Sequence, residues 1–207
     1  MRARLTGHFQ VMMHSQNDEE RVIEEFFRDK PQGWFLDVGA YDGVTLSNTR
    51  ALALKGWSGV LIEPSPFAFI KLVELYGHEH RFILVNAALA LESRLTPLHC
   101  SPQAPLSTIE ERAYKIHGQE TSFTSFLVHT LPLEGFFLGM GEGFPDFLSV
   151  DTEGTSPPLA LAILEYCQPQ LVCVEHEGTP EWLQDALPGY ETIHLTTENL
   201  LLTRNES

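Results

Sequence analysis

The sequence predicts an α/β fold: a mostly parallel sheet with helices on both faces and a C-terminal antiparallel hairpin. Short apolar runs of strand length alternate with amphipathic runs of helical length along most of the chain. These strand candidates are apolar throughout, as is typical of strands buried on both faces of a parallel sheet. The chain has 207 residues, of which 43% are hydrophobic, so we expect one domain over residues 1–207.

The first half of the chain contains three predicted strands. A helix over 17–27, within an N-terminal helical region of 15–30, has acids in its first turn and Val22, Ile23, Phe26 and Phe27 on one stripe. The elements that follow are a strand over 34–39, a helix over 45–55, a strand over 59–64, a helix over 67–75 and a strand over 82–89. Residues 95–99 are predicted as an antiparallel neighbour of the third strand.

The stretch from 100 to 145 differs from its surroundings, because prolines, glycines and polar residues surround one helical piece near 109–116. Its apolar residues Phe123, Phe126, Leu127 and Leu131 have near-helical spacing and predict core or lid packing. Residues 139–143 follow no strand and have no nearby lysine, so we predict a flexible connector and not a phosphate loop. A long connection in a compact domain is usually functional, so we predict an acceptor-side lid insertion.

Regular structure is predicted again after residue 145. The elements are a strand over 146–150, a helix over 159–166, a strand over 171–175, a helix over 180–187, and two strands within 191–204 around a polar turn at 197–199.

Composition restricts the classes of function. A formal charge of −15 argues against nucleic acid as a partner, because binding a phosphate backbone requires a basic surface. The three cysteines, Cys100, Cys167 and Cys173, have no CxxC spacing, so neither a disulfide framework nor a cysteine zinc site is expected. No apolar run predicts a secretory signal or membrane insertion, and we expect a cytoplasmic protein of unspecified oligomeric state.

Carboxylates follow the predicted parallel strands at the edge where such sheets bind ligands. They number seven and are Asp37, Asp42, Glu63, Asp151, Glu153, Glu175 and Glu177. An edge this acidic would repel a phosphate and suits a cationic ligand rich in hydroxyls. S-adenosylmethionine has a sulfonium, an ammonium and a ribose diol, and Glu63 is placed to accept hydrogen bonds from ribose hydroxyls.

The run FLDVGAYDGVTLSNTRALALKGWSGVLIEPSPFAFIKL resembles the core of the FkbM-type methyltransferases. SQNDEE before the first strand, NAAL at 86–89, PLST at 105–108 and DFLSVDTEG at 146–154 resemble further blocks of that family in the same order, over about residues 15–204. The resemblance implies a Rossmann-like class I methyltransferase fold with S-adenosylmethionine as cofactor. One departure follows DTEG, where Thr155-Ser156-Pro157-Pro158 replaces the usual further acid.

The resemblance also implies a role for individual residues at the cofactor. The loop after the first strand would consist of Asp37, Gly39 and Gly43, with Asp42 beside it. Ser47 and Asn48 would approach the methionine end, Glu63 the ribose, Asn86 with Ala87 the adenine edge, and Asp151 the amino group or methyl. Pro64 would also belong to the cofactor site. Ser107 and Thr108 would bring hydroxyls toward the methyl acceptor.

The acceptor and the base are less well specified by the sequence. Glu153, Asp151 and His176 are the candidate bases, and His176 with its acidic neighbours could instead be a structural residue or join a divalent metal site, although no metal is expected. The resemblance implies O-methylation of a small-molecule or sugar hydroxyl, with N-methylation of a peptide side chain as an alternative. Two other classes are a nicotinamide-dependent oxidoreductase, disfavoured because GxGxxG is missing, and a non-catalytic Rossmann-like binding module.

Overall fold

A computed structural model describes residues 13–101, 107–109, 123–141 and 143–205. Its strands are β1 (Trp34–Val38), β2 (Ser58–Ile62), β3 (Phe82–Val85), β4 (Ala88–Ala90), β5 (Leu95–Cys100), β6 (Ser107–Thr108), β7 (Thr124–Pro132), β8 (Phe147–Val150), β9 (Leu171–Glu175), β10 (Tyr190–Leu195) and β11 (Asn199–Arg204). Its helices are α1 (Glu19–Phe26), α2 (Arg50–Leu54), α3 (Pro66–Tyr76), α4 (Leu133–Met140), α5 (Ser156–Leu164) and α6 (Pro180–Ala186). Within these described ranges, every helix is too short or too polar to span a bilayer.

The main sheet has seven strands in the order β10-β11-β9-β8-β1-β2-β3. The five strands from β9 to β3 are parallel, and β11 pairs antiparallel with both β9 and β10. The strand order reverses between β1 and β8, and ligands bind at such a reversal, outside the carboxyl ends of the strands. The predicted parallel sheet and its antiparallel C-terminal edge are confirmed.

Two apolar clusters cover the two faces of the main sheet. One contains Leu36, Val38 and Val150 with side chains of α5, and the other contains Phe35 and Phe147 with side chains of α1 to α3. Alternate residues of a strand point to opposite faces, so a strand buried on both faces must be apolar throughout. Of the four residues predicted on one stripe of the N-terminal helix, Ile23 and Phe27 are buried, whereas Phe26 is 38% exposed.

A second sheet of four strands, in the order β4-β7-β5-β6, lies between β3 and β8 in sequence. The prediction of a largely irregular stretch over 100–145 was therefore wrong within the described residues, which include the nine-residue β7 and helix α4. The prediction of helical spacing failed here because Phe126, Val128 and Thr130 alternate with more exposed neighbours, and such alternation is the period of a strand. Gly139 belongs to α4, and the rest of the predicted helix at 109–116 beyond Ile109 lies outside the described residues.

The predicted third strand over 82–89 is divided between the two sheets. Pairing with β2 ends at Val85, and the Asn86 side-chain amide then donates to the Glu63 carbonyl oxygen at 2.8 Å. From Ala88 the chain pairs with β7. The segment 95–99 is a strand as expected, but its antiparallel partners are β6 and β7 and not β3.

The predicted helix over 45–55 is shorter in the structure, where α2 covers only Arg50–Leu54. Leu46 has a left-handed backbone with φ of 57°, which interrupts a right-handed helix. The hydroxyl of Ser47 accepts hydrogen bonds from the N–H groups of Thr49 at 3.3 Å and Arg50 at 3.1 Å, and these bonds begin the helix. Helix α5 begins three residues earlier than predicted, at Ser156 and not at 159.

Candidate active site

A cavity of about 320 Å³ lies at the carboxyl ends of β1, β2, β8 and β9. The described carboxylates in its wall are Asp37, Glu63, Asp151, Glu153, Glu175 and Glu198, and no described Lys, Arg or His lines it. The walls also include apolar side chains such as Ile62, Leu89 and Leu98. The described residues therefore form an acidic cavity at the sheet edge where the sequence places its carboxylates, and the cavity also has apolar walls.

Glu63 is buried at the end of β2 and organises two loops. Its Oε2 accepts the N–H of Tyr41 at 2.9 Å, and its Oε1 accepts the N–H of Ser65 at 2.6 Å. Burial raises the pKa of Glu63 to about 7, with the nearby Asp37 contributing, while these two backbone hydrogen bonds act in the opposite direction. Each carboxylate oxygen retains acceptor capacity for a ligand hydroxyl.

The loop after β1 approaches the DTEG segment so closely that Gly39 has no space for a side chain. A Cβ at Gly39 would lie 1.6 Å from the carbonyl oxygen of Asp151, and the φ of Gly39 is 89°. The N–H of Gly39 donates to the carbonyl of Ile62 at 2.9 Å, and the N–H of Asp151 donates to Val38 at 2.9 Å. These two hydrogen bonds hold the residues after β1 and β8 against the neighbouring strands, and Gly39 and Asp151 form part of the cavity wall.

Asp37 links this loop to the start of α2. Its Oδ2 accepts the hydroxyl of Thr49 at 2.6 Å, and burial raises its pKa to about 6. The preceding residue, Asn48, is buried and lines the cavity, and its Oδ1 has no hydrogen-bond partner among the described residues. A buried amide oxygen without a partner is costly, so this atom is suited to a donor from a bound ligand.

Three carboxylates cluster in the cavity wall at the ends of β8 and β9. One ligand oxygen from each of Asp151, Glu153 and Glu175 lies within 4.8 Å of the others. Burial, followed by the charges of Glu175 and Glu153, raises the pKa of Asp151 well above its usual range. Burial and the neighbouring acids Glu175 and Glu177 raise the pKa of Glu153 to about 8. This wall suits a cationic ligand group, which would lower these pKa values by stabilising the charged forms.

The backbone around Glu153 is held in an unusual conformation. Glu153 has φ of 51°, a left-handed value that is uncommon outside glycine. The Thr108 hydroxyl donates to its carbonyl oxygen at 2.6 Å. On the other side, Glu177 accepts the N–H groups of Gly154 at 3.1 Å and Ser156 at 2.9 Å. The strained turn is thus fixed from two directions, as is typical of residues that must be positioned at a site.

Five residues predicted for the site are not among the described residues that line the cavity: Asp42, Gly43, Asn86, Thr108 and His176. Asp42 accepts the N–H groups of Val44 and Thr45 at 3.0 and 2.7 Å, and Asn86 binds backbone carbonyl oxygens, so neither is among the cavity-lining residues. His176 is buried, accepts the N–H of Gly178 at Nδ1 and lies 3.3 Å from the Thr196 carbonyl oxygen at Nε2. This geometry favours a structural role for His176, with both ring nitrogens used by the backbone. Of the predicted acceptor residues, Ser107 lines the cavity, whereas Thr108 acts through the Glu153 loop.

Two lining residues that the sequence did not assign to the site, Gln16 and Glu198, come from distant parts of the chain. Asn17 donates to Glu198 Oε2 at 2.7 Å, and buried Glu19 accepts the Asn199 amide at 3.0 Å. The SQNDEE block therefore docks on the turn between β10 and β11. The resemblance of this block to the family was visible in the sequence, but its contact with a turn near the other end of the chain was not.

The described fold is similar to several solved methyltransferase structures at low identity. FkbM from Methylobacillus flagellatus KT matches with a TM-score of 0.51 and 14% identity, covering 84% of this chain and 44% of that protein. An Escherichia coli protein assigned as a methyltransferase, yhhF, matches with a TM-score of 0.53 and 12% identity, covering 94% and 89% of the two chains. A Staphylococcus aureus protein assigned as a caffeoyl-CoA O-methyltransferase matches with a TM-score of 0.53 and 12% identity, covering 90% and 82%.

These likenesses establish the class I methyltransferase fold. The chain spans less than half the length of the Methylobacillus protein. A comparison with curated proteins returns no match. The family model for the methyltransferase FkbM domain matches residues 37–197, which is more than half of the chain and includes Asp37, Glu63 and the DTEG segment. The resemblance noted in the sequence is confirmed: the chain belongs to the FkbM family of methyltransferases.

Proposed function

We propose that this protein binds S-adenosylmethionine in the cavity at the strand ends and transfers its methyl group to a hydroxyl oxygen of a small molecule or sugar. The observation that carries the proposal is the charge of the cavity. Six described carboxylates and no described basic side chain line it. A wall of this kind attracts a sulfonium and an ammonium and repels the phosphates of nicotinamide cofactors and nucleotides.

The residues present fit the cofactor at separate points. Glu63 is fixed by two backbone N–H groups, so its free acceptor positions are held in place for the ribose hydroxyls. The unpartnered Oδ1 of Asn48 can accept an ammonium N–H, with Asp37 contributing negative charge nearby. Asp151 and Glu175 supply further negative charge in the cavity wall. When bound, S-adenosylmethionine supplies an electrophilic methyl group.

We assign Glu153 as the general base that accepts the proton of the acceptor hydroxyl. It is partly buried, lines the cavity, and its pKa of about 8 lies near an intracellular operating pH, where a general base is most effective. Its carboxyl is ionised more readily once a cation occupies the cavity. The contacts from Thr108 and Glu177 hold this turn still, so the protein's main contribution is alignment of the acceptor for in-line displacement.

Isothermal titration calorimetry of the full chain with four compounds tests the proposal. We expect S-adenosylmethionine and S-adenosylhomocysteine to bind, and both to raise the melting temperature by mass action, while NADH and ATP do neither. Binding of NADH as tight as that of S-adenosylmethionine would refute the proposal.

Turnover is tested by S-adenosylhomocysteine release with panels of alcohols, sugars and peptides. Methylation confined to peptide amides would favour the N-methylation alternative, and cofactor binding without turnover on any panel would favour a binding module. The variant Glu153→Gln tests the assigned base in the same turnover assay. Its matched control is Glu165→Gln, because Glu165 is an exposed acid at the end of α5.

A further inference from the structure

A second cavity, of about 300 Å³, adjoins the first. The two share three wall residues, Leu89, Ile109 and Thr155. The other described residues of the second cavity are Ala90, Leu91, Glu92, Arg94, Pro158 and Leu159. Thr155 immediately precedes α5 and is two residues from Glu153, which lines the first cavity. A molecule in the second cavity is therefore separated by one shared wall from the cavity that contains the carboxylate we assign as the base.

Arg94 gives the second cavity a charge opposite to that of the first. Of the described residues that line either cavity, it is the single Lys, Arg or His. Its guanidinium makes no hydrogen bond or ion pair with any described residue. The other described arginines all have polar partners, and they are Arg21, Arg28, Arg50, Arg81 and Arg204.

The backbone of Arg94 is nevertheless firmly held. Its N–H donates to the hydroxyl of Thr130 at 2.9 Å, and its carbonyl oxygen accepts the N–H of Thr130 at 2.9 Å. Thr130 is itself buried, and its hydroxyl also donates to the carbonyl oxygen of Glu92. Arg94 is therefore an exposed arginine on a fixed turn, beside a largely apolar cavity. Its planar guanidinium can donate two parallel hydrogen bonds to a carboxylate or phosphate.

We propose that the second cavity binds the methyl acceptor, and that the acceptor is a hydroxylated molecule with an apolar body and a carboxylate or phosphate that pairs with Arg94. The apolar body contacts Leu89, Ile109 and Leu159, and the hydroxyl points across the shared wall toward Glu153. This inference rests on the proposed function. It narrows the acceptor class from hydroxyl compounds in general to anionic ones, in a protein whose overall charge of −15 would otherwise repel them.

The probes are para-hydroxybenzoate, para-hydroxyphenyl phosphate and the neutral para-hydroxybenzamide. Their binding to the full chain is measured by ligand-observed NMR, with and without S-adenosylhomocysteine. We expect at least one anion to bind about tenfold more tightly than the amide, the scale of a hydrogen bond to a charged group. Arg94→Gln should abolish that preference, and Arg94→Lys should restore part of it.

Two further variants control for indirect effects. Arg28→Gln removes an equal charge from the exposed pair with Glu25 and should leave the preference intact. Ala90→Leu reduces the volume of the second cavity alone and should weaken all three probes without changing S-adenosylhomocysteine affinity.

The outcomes distinguish this inference from the proposed function. A preference for anions that survives in Arg94→Gln would overturn the inference, and so would the absence of any preference in the native chain. If S-adenosylhomocysteine fails to bind, the proposed function fails, whereas Arg94-dependent anion binding in its absence would still establish the second site.

Discussion

Replacing Glu63 with alanine removes a buried carboxylate and both of its backbone hydrogen bonds. The N–H groups of Tyr41 and Ser65 would lose their acceptor, at about 1–3 kcal/mol for each buried group left unpaired. The loss is opposed by relief of the buried charge. The pKa of Glu63 is raised from 4.5 to about 7, and at about 1.4 kcal/mol for each pH unit this difference corresponds to about 3 kcal/mol.

The sign of the pH dependence follows from the same pKa. The folded state holds this proton more tightly than the unfolded chain, so the free energy of unfolding falls as pH rises from about 4.5 to above 7. Glu63→Ala lacks this dependence. We therefore expect the variant to be less stable than the native protein by about 2–5 kcal/mol near pH 5, and the difference to shrink by up to about 3 kcal/mol near pH 8.

Urea denaturation of the ligand-free protein at both pH values measures these differences, with Glu74→Ala on the exposed face of α3 as control. Calorimetry with S-adenosylmethionine gives the second readout, for which we expect a loss of about 1–3 kcal/mol in binding free energy. A pH-independent difference in stability would refute the assigned pKa. Unchanged cofactor affinity in folded Glu63→Ala would refute the ribose assignment and leave Glu63 as a structural carboxylate.

Four further substitutions separate the parts of the site. Gly39→Ala should lower the free energy of unfolding by at least about 3 kcal/mol, because its Cβ meets the Asp151 carbonyl oxygen; Gly56→Ala has a similar φ of 97° but open space, so an equal loss there would show that the clash is irrelevant. Asp151→Asn should weaken S-adenosylmethionine binding and lower turnover, measured by calorimetry and S-adenosylhomocysteine release, and unchanged affinity would argue against a cation beside it. Glu153→Gln should reduce turnover at least about 100-fold with cofactor affinity nearly unchanged, and normal turnover would remove it as the base. Thr108→Val should cost about 1 kcal/mol of stability from the lost hydrogen bond to the Glu153 loop and reduce turnover, and a variant with native kinetics would show that this contact does not position the loop.

Much of the fold could be predicted from the sequence because it depends on local patterns. The strands of the parallel sheet are continuous apolar runs, and the residues at their carboxyl ends must share one edge whatever the loops do. Asp37, Glu63 and Asp151 were placed at this edge in this way, and all three line the cavity. The assignment of individual roles to these residues stays a prediction until the variants are tested.

The second sheet was missed because its pattern is weak. Strand β7 has one face toward solvent and carries threonine, serine and histidine among its apolar residues, so its alternation was mistaken for helical spacing. Helix α2 is shorter than predicted because Leu46 has a left-handed backbone conformation. Such outcomes depend on the contacts that a segment makes elsewhere in the chain.

The sequence by itself determined the parallel sheet, its order of elements and the acidic character of the ligand edge, because strand burial and strand-end chemistry are encoded within a few neighbouring residues. Only the tertiary structure decided which polar side chains face the cavity. Asp42, Glu177 and His176 carry the right chemistry at the right strand ends, yet each is engaged by nearby backbone groups. Arg94 and Glu198 reach the two cavities from distant parts of the chain. The physical reason is that a backbone N–H left unpaired by helices and strands takes a nearby acceptor, and which carboxylate or imidazole supplies it depends on three-dimensional proximity.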